Sequence, residues 1–275
     1  GINILLALSV YAILTTDQLS LGHTGFMAIG AYVSAYLTVK SGFPLVPALI
    51  IGALTASVIG LLIGIPALRL KGIYLVMATL GFGEMVRTFF MNFEPTGGAS
   101  GFRGPMGSSL ILIYAFVLVF VVFFWLLSRS RLGRSLDAVR DDPEVASTMG
   151  LNVTHLKVWA FWLGAFIAGV AGGLYAHHMF YIESSNFNFL LATMIVLYVI
   201  LGGMETFWGA VAGAVIFSIL PEALRFMKDW RLSFYGAVLV TMMIVRPSGI
   251  ITREMVRNFE EWLGRIFRTE ETKDA

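Results

Sequence analysis

Apolar runs of 13 to 24 residues alternate with short polar breaks along almost the whole chain. They run from Ile2 to Thr16, Met27 to Val39, Pro44 to Ile65, Ile73 to Phe93, Leu110 to Leu127, Val158 to Tyr181, Phe189 to Leu201, Phe207 to Leu224 and Leu232 to Val245. Runs of this length and purity predict an all-α, polytopic transmembrane helical bundle with about nine visible spans, eight to ten once uncertain span ends are allowed for. The first run is shorter than the roughly 20 residues that cross hydrocarbon. It also opens at Gly1 with no Met and no basic leader, so an upstream segment is expected to be missing. Gly30 and Ser34, four apart, give the second run a small-residue face suited to close helix packing. Between the first two runs, Leu19 to Phe26 carries two glycines, a hydroxyl pair and His23. That pattern predicts a helix break, tolerated in a membrane only where protein or a cavity covers it.

One polar stretch stands apart, residues 128–157, with Arg129, Arg131, Arg134, Arg140 and Lys157 among Asp137, Asp141, Asp142 and Glu144. Its basic content assigns it to the inner side of a membrane. Counting crossings from there places Arg69 and Lys71, the turn at 202–206 and the basic tail 247–275 on the same side. Lys40, Arg103, Lys228 and Arg231 fall outside. Within the stretch, Asp141 and Asp142 suit a helix cap, Pro143 the first helical position and Gly150 a left-handed exit. The spacing predicts a short helix from Pro143 to Gly150, with Val145 and Met149 on one apolar face. Ala146 is small enough for a partner's backbone to approach. The alternative is a solvated amphipathic linker.

Composition adds that 57% of residues are hydrophobic and only 13% charged, with a mean hydropathy of +0.81, which leaves little soluble mass. The net charge of +2 reflects Arg-rich loops, not a nucleic-acid patch. Without cysteine there is no disulfide, thiolate nucleophile or cysteine-held metal. No Gly-Lys-Ser/Thr phosphate loop occurs, so nucleotide binding by that route is excluded.

Glu84 and Arg87, three apart within a span, should face the bundle interior, because intramembrane charge is costly. They are either part of a transport path or a self-neutralising intrahelical pair. His177 and His178 point about 100° apart on a helix and are poorly placed to share a metal.

Glu144-Val145-Ala146, with Gly150 six residues after the glutamate, resembles the Glu-Ala-Ala…Gly loop of ABC importer permeases, departing at Val145. Four more stretches, in order, resemble the branched-chain amino acid permease family. They are Leu19-Ser20-Leu21-Gly22-His23-Thr24-Gly25-Phe26, Lys71-Gly72-Ile73-Tyr74 leading to Thr79-Leu80-Gly81-Phe82-Gly83-Glu84, Thr96-Gly97-Gly98, and Gly133-Arg134-Ser135 with Ala138-Val139-Arg140. Glu205 stands where that family usually has glycine.

The resemblance implies one permease domain over residues 1–275, with 128–157 as a cytoplasmic loop docking on an ATPase. Arg140, Asp141, Asp142, Glu144, Val145, Ala146, Met149 and Gly150 would make that contact. His23, Thr24, Gly25, Glu84 and Arg87 would border the translocation pathway. It further implies a second related permease, two cytosolic ATPases carrying the ATP and Mg, and an extracytoplasmic binding protein for a branched-chain or related amino acid. The chain itself would hold no cofactor and catalyse nothing, in a bacterial or archaeal cytoplasmic membrane with its C-terminus inside. An ion-coupled secondary transporter of a small polar solute would share the broken helices but need no docking helix. An intramembrane enzyme would need converging groups, and His177, His178 and Glu183 are poorly arranged for that.

Overall fold

In the computed structural model, residues 1–67, 69–103, 107, 109–223 and isolated positions between 236 and 255 are described. The chain divides into two compact units, Gly1–Leu197 and Tyr198–Ala275. The first contains α1 (Ile2–Leu14), α2 (His23–Ser41), α3 (Leu45–Ala67), α4 (Ile73–Asn92), α5 (Leu110–Arg129), α6 (Arg131–Asp141), α7 (Pro143–Thr148), α8 (Val153–Met179) and the start of α9 (Phe189–Gly202). The second holds the end of α9 and α10 (Phe207–Ala223).

The helical membrane architecture is as expected. Five described helical stretches are long and apolar enough to span a membrane: Leu45–Ala67, Ile73–Asn92, Leu110–Arg129, Val153–Met179 and Ser184–Gly202. α1 and the apolar part of α10 are shorter, and α2 carries His23, Thr24, Ser34 and Thr38 along its length. Apart from isolated positions, the expected span at Leu232 to Val245 and the basic tail lie outside the described residues.

α8, 27 residues and about 40 Å long, is the helix on which α1, α2 and α3 pack. Small residues set the approach. A Cβ on Gly30 would collide with the backbone of Gly169, and one on Gly172 with the Met27 carbonyl. In lipid, where no hydrophobic force draws helices together, such close backbone packing is what holds them. Contacts also give directions. Gly30, Ser34 and Thr38 meet Gly169, Gly173 and His177 in that order, so α2 runs parallel to α8. Leu49, Ala53, Gly60 and Gly64 meet Gly173, Gly169, Ala165 and Phe161, so α3 runs the other way. Gly83 and Phe90 of α4 lie at Gly25 and Tyr32, parallel to α2. Gly1 and Tyr11 of α1 lie at Ile113 and Phe124 of α5. The helices of this unit therefore alternate in direction, as counting crossings requires.

At the end where α4 and α8 finish, two short strands pair, β1 (Phe102–Arg103) and β2 (Tyr181–Ile182), antiparallel. The Tyr181 hydroxyl donates to the Ser100 carbonyl (3.1 Å), and Arg103 lies over the Tyr181 ring. The glycine-rich stretch before Arg103 carries no strand pattern, so this pairing is not foreshadowed by the local sequence. In the second unit, Gly202 meets Gly209 and Gly213 across a tight turn, and Tyr198 stacks on Phe217. The N–H groups of Ile250 and Ile251 donate to the carbonyls of Leu201 and Gly202.

Candidate functional site

The polar stretch 128–157 folds into two short helices, α6 and α7, before α8 begins. Ser130 caps α6, accepting from Gly133 N–H (3.0 Å). α6 buries Gly133, Leu136 and Val139 and exposes Arg131 and Arg134. This amphipathic helix was missed in the sequence, although a serine cap followed by apolar residues three apart is its signature.

α7 forms where the cap residues predict. Asp142 Oδ1 accepts from Glu144 N–H (2.8 Å) and Val145 N–H (3.1 Å), and Pro143 takes the first position. At the other end Gly150 adopts φ +83°. Its N–H donates to Ser147 carbonyl and that of Leu151 to Ala146 carbonyl, the paired bonds of a Schellman exit. Val145 is 54% and Met149 76% exposed, so the apolar face faces outward. Ala146 does the reverse. It is 1% exposed, on the side that packs on α6 and α8, so its small size serves this chain's own packing. Arg140 also turns inward, to Asp137 (3.5 Å) and Asp141 (3.8 Å). Asp141, Asp142 and Glu144 are exposed.

The break between α1 and α2 covers residues 15–22. His23, Thr24 and Gly25 lie just beyond it, in the first turn of α2, and are buried. Thr15, Thr16, Gln18 and Ser20 are buried with them, an unusual polar load inside apolar helices. Their partners are partly local and partly on α1 and α4. Leu21 N–H donates to Thr79 Oγ1 of α4 (3.1 Å), Thr16 Oγ1 donates to Gln18 Oε1 (3.1 Å), and His23 Nδ1 lies 3.4 Å from Ser9 Oγ of α1. Among the described residues His23 Nε2 is buried with no hydrogen-bond partner.

Glu84 and Arg87 form an ion pair, Nε to Oε2, 2.6 Å. They do not face the interior of this chain. α4 turns Leu75, Thr79, Phe82, Gly83, Val86 and Phe90 inward, which leaves Arg87 and Glu84 off that face, 32% and 38% exposed. Glu84 lines an open groove with Gly81, Thr88 and Asn92. On the other flank of α4 an apolar slot of about 720 Å³ opens among Ile29, Tyr32, Val33, Ile59 and Phe82.

His177 and His178 serve different surroundings. His177 Nδ1–H donates to the Gly173 carbonyl (2.8 Å), which leaves Nε2 to accept from the Thr38 hydroxyl (3.0 Å). His178 lines a separate crevice beside Gly1 and Tyr114. Among the described residues no three metal-ligating side chains converge.

Residues 1–246 match the family described as branched-chain amino acid transport system / permease component. The high-affinity branched-chain amino acid transport system permease protein LivM of Salmonella typhimurium is 31% identical over 91% of this chain and 66% of its own length. LivM of Escherichia coli K12 matches to the same extent. The autoinducer 2 import system permease protein LsrC of Yersinia pestis is 25% identical over 88% of this chain and 73% of its own. The chain thus spans just under two thirds of the length of the LivM relatives. No solved structure matches. With its alternating apolar helices and a match over nearly all its length, the chain belongs to the branched-chain amino acid transport permease family.

Proposed function

We propose that this chain is a pore-forming membrane subunit of an ATP-powered importer for branched-chain or related amino acids. It works beside a second permease chain and is driven by separate cytosolic ATPases. An extracytoplasmic binding protein delivers the substrate. Family membership and the names of the relatives support the substrate class. α7 carries the coupling. A capped, closed helix that offers Val145 and Met149 to the surroundings, in a chain with so little soluble mass, is a handle for another protein. It leads within four residues into α8, so movement of the handle is delivered to the helix that most of the unit packs on.

The test uses the whole complex in proteoliposomes. Val145→Asp and Met149→Asp change only exposed positions, so the permease should still insert. The ATPase should no longer copurify, or ATP hydrolysis should no longer drive uptake. Retained ATPase and full ATP-driven uptake in the double variant would overturn the coupling role of α7.

A further inference from the structure

α5 buries Ile113, Phe120 and Phe124 on one side. Ile111, Leu118, Val122 and Trp125 are exposed on the other, a stripe at helical spacing. Between Ile111 and Leu126 the exposed positions are bulky apart from Ala115. Helices that meet in a membrane do so through small residues, as α8 does at Gly169 and Gly172. The stripe on α5 has the opposite character, which suits acyl chains better than another helix. Its end carries charge. Arg129 folds back over the Trp125 ring, 4.3 Å from the ring centre, and Arg134 Nη1 donates to the Arg129 carbonyl (3.3 Å). Ser130 both ends α5 and caps α6, so Arg131 and Arg134, in the first four residues of α6, stay beside the end of α5. They lie one turn apart, off the face that buries Gly133, Leu136 and Val139. Both are exposed, and neither has an ion pair among the described residues. From Ser128 to Leu136 the chain has no carboxylate, and Asp137, the next, is held by Arg140 (3.5 Å).

We propose that the junction of α5 and α6 binds an anionic phospholipid, its phosphate held by Arg131 and Arg134 and its acyl chains laid along Val122 and Leu118. Tryptophan and arginine together mark the level where a span leaves hydrocarbon, which is the depth of a lipid phosphate. Guanidinium groups match phosphate oxygens in geometry and form charge-assisted bonds with them. Basic residues just beyond a span attract anionic lipids. A zwitterionic head carries its own cation, which the arginines repel, so a head with net negative charge is preferred. A lipid held there anchors the start of α6, against which α7 packs.

The absence of cysteine makes a local test available. Ser128 is exposed beside Arg129, so Ser128→Cys can carry a fluorophore at the proposed site. The full chain, labelled there, is placed in phosphatidylcholine vesicles holding a small fraction of nitroxide-labelled phosphatidylglycerol or, separately, nitroxide-labelled phosphatidylcholine. The phosphatidylglycerol should quench about tenfold more effectively, as the attraction of two arginines for an anionic lipid allows. Arg131→Gln with Arg134→Gln should abolish the difference, and Arg131→Lys with Arg134→Lys should keep most of it. Lys71→Gln, an exposed cation elsewhere, should change nothing. Glycerophosphoglycerol, the head without its chains, should not displace the lipid. Equal quenching by the two lipids in the parent would overturn the proposal, as would a difference that survives both glutamines. A fall just as large in Lys71→Gln would show a diffuse positive surface, and loss in the lysine pair a folding effect; either overturns it. Full displacement by the chainless head would mark a site for free anions and overturn it too. These measurements need neither ATP nor a transported solute, so their outcome is separate from that of the importer reading.

Discussion

At Gly169 the chain has room for a hydrogen and nothing larger. A Cβ there would lie 2.8 Å from Ala53 Cα and 2.9 Å from Ala56 Cβ, backbone and stub atoms that cannot rotate away. Gly169→Val should therefore force α3 off α8 and destabilise the protein by about 1–3 kcal/mol, as overpacking does. Gly81→Ala, whose new methyl would have nothing within 4 Å, should not. Thermal unfolding of the purified protein in detergent compares the two, and a Gly169→Val protein as stable as the parent would contradict the packing described. The histidines make the opposite point. Two neighbours in sequence, His177 and His178, point to separate surroundings, one tying α8 to α2 through Thr38 and the other lining a crevice. Helical geometry made that divergence legible. The identity of Thr38, 139 positions away, was not, because nothing local encodes it.

Among the elements, α7 was the most legible because its ends are written in adjacent residues. Asp142 and Pro143 start it, and Gly150 releases it, by bonds within a few positions. What no local pattern supplies is rotation. Ala146 and Met149 lie on one short helix, yet one is buried and the other exposed, and that choice belongs to α6 and α8. The same limit explains Glu84 and Arg87. Their spacing predicted the pair, but which side of α4 they occupy depends on Phe82, Gly83 and Phe90 packing on α2. α7 also offers a sensitive test of its cap. Asp142→Ala should remove about 1 kcal/mol of local stability. The Glu144 and Val145 amides should then exchange hydrogen about fivefold faster, since exchange follows local opening. Unchanged exchange would mean that tertiary contacts alone hold the helix.

For the first unit as a whole, the hydropathy pattern was enough to predict alternating helices, and the observed contacts agree. It could not show which helix the others gather on, since α8 has an ordinary apolar composition and differs by the placement of its small residues. The alternation makes a geometric prediction. In sealed vesicles, single cysteines at Lys71→Cys and Ser147→Cys should be labelled by an impermeant reagent from one side, and Arg103→Cys from the other. Labelling of Lys71→Cys and Arg103→Cys from the same side would break the arrangement of α4. The central place of α8 has a further consequence, for synthesis. Ala67 closes α3 more than a hundred residues before Met179 completes α8. At the usual pace of elongation the wait is on the order of ten seconds. Through that interval Gly30 and Ser34 can meet Gly52 of α3, but Gly30, Ser34 and Thr38 lack the Gly169, Gly173 and His177 that they also close against. A nascent chain arrested before Val153 would thus present the insertion and quality-control machinery with helices mated on one side only, and the arrival of α8 is the event that covers the other.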